Sequence, residues 1–310
     1  MIRLVLRRLA WAAAVIWFVV TATFAMLAAI PADPAKVLLG PNSEPAAVER
    51  ARVYYCLDRG VLVQYGCWIE RVARGDLGES FRSKRPVAQI LADRAWPTVQ
   101  LALAAILLQL AIGVPLGVLG AVRRGRWPAR AAQLFELAAQ SVPSFVIGTL
   151  LLYVVAYRWD LLPIGGYGEG GWDRVRHLAL PAATLAAIGV AYYSRALRAE
   201  LEEVLDTDYI RTARAKGLPE RTVVVRHGLR GALGPLVTLV GLDLGVLLGG
   251  AFVVEQIFAW PGVGREVLQA IVELDLPVIL GAVLLAAIAI AIANLLADLA
   301  QVWLDPRLRD

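Results

Sequence analysis

The fold class that this chain predicts is all-α and polytopic, with six helices crossing a membrane. Of its 310 residues 59% are apolar and only 18% charged, and the mean hydropathy is +0.63. Six stretches approach or exceed the roughly 20 mostly apolar residues that a spanning helix needs. This balance excludes a disordered chain, whose mark is low hydrophobicity. Two cysteines are too few to staple a disulfide scaffold of this length. The runs are too long for buried strands, and helices satisfy their own backbone groups in lipid.

Residues 9–30 form an uncharged first run. Arg3, Arg7 and Arg8 before it, with Ala28 and Ala29 at its end, also fit a cleaved signal peptide. Signal cores are about 7 to 15 residues long, however, so a retained anchor is expected. The second run, 95–122, is uncharged. The third, 131–157, carries only Glu136. The fourth, 178–194, is short and uncharged and is expected to continue into the polar segment after it. The fifth, 231–254, carries only Asp243, and the sixth, 276–304, only Asp298. The organisation is then a first spanning helix in 1–30, an extracytoplasmic loop over 31–96, a core of spans two to six over 97–304 and a cytoplasmic tail, 305–310.

Basic residues set the orientation. With the N-terminus inside, the inner segments hold 17 of the 31 lysines and arginines, and the two short outer loops hold Arg158, Arg174, Arg176 and Arg265. The remaining ten fall in the long first loop with eight acids, and long loops are largely exempt from the positive-inside rule. Both termini are therefore expected in the cytoplasm. The formal charge of +5 reports topology, and no nucleic-acid partner is expected.

Two polar segments are long enough to fold. In the outer loop, Pro41-Asn42-Ser43 and the 75–78 stretch read as turns, with short helices expected from Pro45 and from Pro86 to Arg94. Cys56 and Cys67 share this loop and could pair in an oxidising compartment or remain two free thiols. In the inner segment, 195–234, Leu197, Leu201, Val204 and Leu205 recur at helical spacing and extend the fourth span. Asp206 or Thr207 can cap a new helix. That helix, 209–216, ends in basic residues before Gly217, a suitable stop. Pro219 can open the next, with Glu220 in its first turn. Geometry alone leaves this helix–glycine–helix element as a surface connector or a docking knob.

Catalytic chemistry is not legible. His177 and His227 fall on opposite sides, no Cys or His pair has metal-ligand spacing, and none of the three lysines follows a glycine, so a phosphate loop is missing. Acids within spans are a functional flag. Asp243, near the middle of its run, is either a tie between helices or part of a solute path. Glu136 and Asp298 sit near the inner boundary, where they can reach water or a basic loop. Gln140, Ser141, Pro143 and Ser144 form a polar kink that fits a cavity or interhelical bonding. Gly113, Gly117 and Gly120, with Gly241, Gly245 and Gly249, allow close helix contact within the chain or with a partner.

The inner segment, from Asp208-Tyr209-Ile210-Arg211-Thr212-Ala213-Arg214-Ala215-Lys216-Gly217-Leu218 to Arg226-His227-Gly228-Leu229-Arg230 and on to Pro235, closely resembles the "EAA" loop of binding-protein-dependent ATP-binding-cassette (ABC) importer permeases, in its dipeptide/oligopeptide branch. Gly75-Asp76-Leu77-Gly78-Glu79-Ser80, the 140–145 stretch, the 255–264 stretch from Glu255 through Trp260, Pro261 and Gly262, and Leu304-Asp305-Pro306-Arg307 resemble landmarks of its first, B-type subunit. The resemblance covers nearly the whole chain. It implies a MetI-like type I importer permease fold in the bacterial cytoplasmic membrane. The implied partners are a second homologous permease, two cytoplasmic ATP-binding subunits that carry ATP and Mg, and an extracytoplasmic substrate-binding protein, so this chain itself binds no cofactor and is not an enzyme. The implied ATPase-coupling residues are Asp206, Thr207, Asp208, Tyr209, Arg211, Thr212, Ala213, Arg214, Ala215, Lys216, Gly217 and Leu218. Arg211, Thr212 and Ala213 stand where the general motif has Glu-Ala-Ala. Gln140, Ser141, Ser144 and Asp243 are expected along the path, and Glu255, Trp260, Pro261 and Gly262 at an outer gate. Peptides are the implied cargo. Nickel chelates, glutathione and some sugars are carried by similar permeases, and an autonomous ion-coupled carrier using Asp243 is the alternative from another class.

Overall fold

The computed structural model describes residues 2–28, 49, 52–53, 56 and 58–304. The expected turn at 41–43, the start of the helix expected from Pro45 and the tail 305–310 lie outside them. Among the described residues four helices are long and apolar enough to cross a membrane alone: α1 (Ile2–Ala28), α3 (Val87–Val122), α6 (Gly171–Leu205) and α12 (Leu276–Leu304). The third and fifth expected spans are bent pairs. α4 (Trp127–Ser141) and α5 (Ser144–Arg158) meet at 101° across Val142 and Pro143, and α8 (Glu220–Ala232) meets α9 (Gly234–Gly250) at 54°. Pro143 lacks a donor for α4 and takes extended dihedrals, φ −59° and ψ 143°, so the kink expected there is a full corner.

Small residues set the packing. A methyl group on Gly113 would lie 3.1 Å from the Tyr193 Cβ, one on Gly117 2.8 Å from the Ser194 carbonyl oxygen, and one on Gly120 2.8 Å from the Arg198 Cδ. Numbers rise together on both helices, so α3 and α6 run parallel with backbones in near contact. α9 and α12 run antiparallel, Gly241 facing Ala297 and Gly249 facing Ile290. These glycines are thus used within the chain. Arg8 of α1 pairs with Asp298 of α12 at 3.1 Å, and Gly231 of α8 abuts Val204 of α6. The start of α1, the end of α6, the start of α9 and the end of α12 therefore share one end of the bundle.

Three expectations are corrected. The helix expected over Pro86–Arg94 does not stop there. Pro86 precedes the first turn of α3, which passes through Pro97 to Val122, because Val87, Ile90, Leu91, Pro97 and Thr98 are buried against the rest of the bundle rather than lying in a loop. Thr207 adopts the extended N-cap conformation of α7 (Asp208–Ala215), but its hydroxyl donates backward to the Val204 carbonyl at 2.6 Å and makes no cap bond to α7. Glu136 does not reach water: it is 1% exposed.

The first loop also contains a helix the sequence reading did not isolate, α2 (Val61–Ala73). Its Tyr65 and Trp68 pack on Phe24 of α1, with Val20 and Leu280 beneath. A disulfide joins Cys67 in α2 to Cys56, with Cα atoms 6.6 Å apart. Gly75 and Gly78 turn with positive φ, as the 75–78 stretch predicted. After them the Ser80 hydroxyl donates to the buried Asp275 carboxylate at 2.6 Å, and the Phe81 amide donates to it at 3.1 Å.

Candidate functional site

The 206–221 region is a hairpin on the end of α6. Leu197, Leu201 and Leu205 of α6 form an apolar seat with Val223 and Val224 of α8, and Ile210 and Ala213 of α7 sit in it. The other residues of α7 face outward: Asp208, Tyr209, Arg211, Thr212, Arg214 and Ala215 are exposed, as are Lys216, Gly217 and Leu218 beyond it. Asp208 lies in the first turn and Arg214 in the last, each at the helix end its charge favours.

A glycine-dependent turn ends α7. The Gly217 amide donates to the Arg214 carbonyl at 2.9 Å and the Leu218 amide to the Ala213 carbonyl at 3.4 Å, the two bonds of a Schellman motif. Gly217 has φ +76°, the left-handed region that glycine enters without strain. The chain reverses here, and α8 starts after Pro219. Across the turn Arg214 grips Glu220 with two parallel bonds, Nη2 to Oε1 at 2.8 Å and Nε to Oε2 at 3.2 Å. This bond raises the Arg214 pKa above its ordinary value and holds the Glu220 carboxyl below the usual range. Arg124, from the α3–α4 connection, reaches Glu202 at 3.4 Å and Asp206 at 3.9 Å.

The expected path residues separate into two places. Gln140 and Ser141 are exposed at the α4–α5 corner, with Ser144 half-buried beyond it, and the Ser141 hydroxyl bonds back to the Leu137 carbonyl. Asp243 lies inside the bundle, where the Tyr193 hydroxyl of α6 donates to it over a long 3.4 Å and Gln109 of α3 is its second partner. Gln109 is 1% exposed and was missed by the sequence reading. Its signal is an amide near the middle of a mostly apolar span, a costly residue to keep without a partner. Glu136 accepts from Ser194 at 2.7 Å and pairs with Arg198 at 3.0 Å, joining α4 to α6.

At the opposite end, where α3 and α6 begin, the 255–264 stretch is a locked turn built from α10 (Phe252–Ile257) and α11 (Val263–Val272). The fully buried Glu255 accepts from the Thr98 hydroxyl at 2.9 Å and the Arg265 amide at 2.9 Å, so its carboxylate covers the start of α11. Burial pushes this carboxyl up, while the Arg265 amide, Thr98 and the Gly264 amide pull it down. Gly262 is needed because any side chain there would occupy the Glu255 carboxylate position. Trp260 is fully buried. Its indole donates to the Pro97 carbonyl at 2.9 Å and its ring meets Tyr167 edge-on. Pro261 is half-buried between them in sequence. Among the described residues no group of three or more His, Cys, Asp or Glu side chains could hold a metal.

Membrane passages packed around buried polar side chains, with a rigid basic hairpin held out at one end, define a helical transport protein of the membrane. The chain belongs to the family of binding-protein-dependent transport system inner membrane components, whose model matches residues 113–310, and the model of the family's N-terminal region matches 1–102. It is 39% identical over 314 residues to a protein of Brucella abortus named as a peptide transport system permease, the match covering all of this chain and 99% of that one. It is 36% identical over 309 residues to the glutathione transport system permease protein of Escherichia coli K12, with coverage of 100% and 99%. The fold is shared with the inward-facing MetNI methionine ABC transporter (TM-score 0.59, 20% identity, 70% of this chain and 97% of that one). An amino acid ABC transporter shares it too (TM-score 0.54, 14% identity, 69% and 93%). The chain is a multi-pass inner-membrane protein of a family of ABC transporter permease subunits, which lack an ATPase site of their own.

Proposed function

We propose that this chain is one of two homologous permease subunits of a peptide importer, energised by two separate ATP-binding subunits and supplied by an extracytoplasmic binding protein. One observation carries the coupling role. α7 is a short basic helix whose apolar side is seated on α6, whose outward side is free, and whose exit is fixed by the Gly217 turn. A knob of that build, at the end of a spanning helix, suits docking into a groove on a cytoplasmic ATPase. Residues Asp206 to Leu218 form that contact region. The end bearing α7 is then the cytoplasmic side and holds both termini, in keeping with its arginines.

The locked turn from Glu255 to Gly262 lies at the outer end and closes the path there. Asp243, with Tyr193 and Gln109, and the exposed corner at Gln140, Ser141 and Ser144 belong to the path side of the chain. The Cys56–Cys67 disulfide fits an oxidising outer compartment and staples the first loop to α2. The peptide cargo rests on relatives named for peptides and for glutathione, itself a γ-linked tripeptide.

Uptake of labelled dipeptides, oligopeptides and glutathione into vesicles tests this reading. The vesicles carry the chain with its second permease, ATP-binding subunits and binding protein. Uptake is expected only with ATP and the complete set. Transport by this chain alone, driven by an ion gradient, would show an autonomous carrier instead.

A further inference from the structure

We infer that Arg214 is a positioning residue that makes the α7–α8 hairpin one rigid piece with the end of α6, so that displacement of the hairpin reaches the bundle through its guanidinium. The inference rests on the docking role proposed above and assigns Arg214 a part different from that of its neighbours. Alone in the hairpin, its side chain bridges three elements. Nε and Nη2 hold Glu220 at the start of α8, while Nη1 donates to the Leu205 carbonyl at 3.3 Å, in the last turn of α6. Carbonyls of a last helical turn have no partner within the helix, and a cation is favoured there.

The rigidity has to come from such a clamp. α7 has eight residues, too few to hold a helix unaided, and its buried anchors are only Ile210 and the small Ala213. Gly217, at its exit, has no atom within 4 Å of where a side chain would begin, so the turn is braced by backbone bonds and not by packing. The Arg214 fork ties α7 to α8 across this turn. A lysine would bring one point charge and lose the two-bond geometry. With three donors engaged by Glu220 and the Leu205 carbonyl, the exposed Arg214 head is already committed within the hairpin. Tyr209, Lys216 and Leu218 are exposed, and they serve as contacts for a docking partner.

Two measurements on Arg214→Lys and Glu220→Gln test the clamp. Hydrogen exchange on the isolated full chain reads the clamp without any partner: amides of 208–222 should exchange about five-fold faster in both variants, the scale of a partly exposed ion pair. In the reconstituted importer, purified through a tagged ATP-binding subunit so that only assembled complexes count, substrate moved per ATP hydrolysed should fall by a similar factor. The exchanged pair Arg214→Glu with Glu220→Arg should recover part of it. Unchanged exchange in Arg214→Lys overturns the clamp. Faster exchange with an unchanged transport-to-ATP ratio overturns its coupling role. Failure of the parent chain to retain any ATP-binding subunit overturns the docking reading, whatever the exchange shows.

Discussion

Replacing Gly217 separates the geometry of the turn from the mere presence of a loop. Alanine there meets no steric obstacle, since nothing lies within 4 Å of its Cβ. Its cost is the left-handed φ of +76°, about 1 kcal/mol for an L-residue, which shifts the hairpin conformer ratio about five-fold. Proline is different in kind. Its φ is fixed near −65°, so the turn cannot form, and its missing N–H deletes the bond to the Arg214 carbonyl. With both Schellman bonds lost at about 1 kcal/mol each and the ring mismatched to the backbone, the total is about 3 kcal/mol or more, and α8 leaves α7 in a new direction. The assay is substrate-stimulated ATP hydrolysis in vesicles holding the full importer, alongside a check that each variant inserts. Gly217→Ala should lose part of the stimulation, whereas Gly217→Pro should abolish it with insertion intact, because residue 217 is outside every span. Normal stimulation in Gly217→Pro would refute the claim that the hairpin transmits motion.

Glu136→Gln should lower stability by about 3 to 5 kcal/mol, since it leaves the Arg198 charge, 14% exposed, without its counter-charge; thermal melting in detergent reads this, and a cost below about 1 kcal/mol would show the pair to be incidental. Glu255 predicts a pH dependence: its folded-state carboxyl is raised by burial, so its contribution is full below the unfolded-state value and is lost as pH rises through the folded one. Amide exchange over 252–266 should therefore quicken from pH 5 to pH 8 beyond the intrinsic chemical effect, and this excess should be absent in Glu255→Gln; an equal excess in the variant would assign the dependence to another group.

The hairpin was the most legible part of the chain because its determinants are local. A cap conformation, a leucine spacing and a glycine stop lie within about 20 residues, and the structure places α7 from Asp208 to Ala215, close to the expected 209–216. The spans were legible as lengths of apolar sequence, but not their shapes. Pro143 marked a kink but not its angle of 101°, and no spacing reveals that Glu136 ties α4 to α6. Arg198, Gln109 and Asp275 were missed for the same reason: each acts on a residue far away in sequence. Glu255 was read as part of a gate, and the structure shows how it is held, by Thr98 from a helix more than 150 positions earlier. α2 escaped because a 13-residue helix whose burial depends on α1 has no strong signature of its own.

The acids inside the spans form a pattern when taken with their partners. Each is answered from another helix: Glu136 by Arg198 and Ser194, Asp298 by Arg8, and Asp243 by Tyr193 and Gln109. An unpaired charge in lipid costs several kcal/mol, so these pairs fix which helices stay together when others move. Three of the four partners of the α4 and α9 acids come from one stretch of α6, Tyr193 to Arg198, and Arg124 adds a contact to Glu202 of the same helix from the α3–α4 connection. α6 is also the helix that lies against the glycines of α3 and carries the hairpin. Displacement at Arg214 would therefore enter α6 and pass to α3, α4 and α9 as a group. α9 also lies against α12 through Gly241 and Gly249, and α1 is tied to α12 at Asp298, so α1 joins this linkage through α12. On the coupling role proposed for α7, its displacement would be carried by α6 to the helices bonded to it, α3, α4 and α9, with α12 following α9.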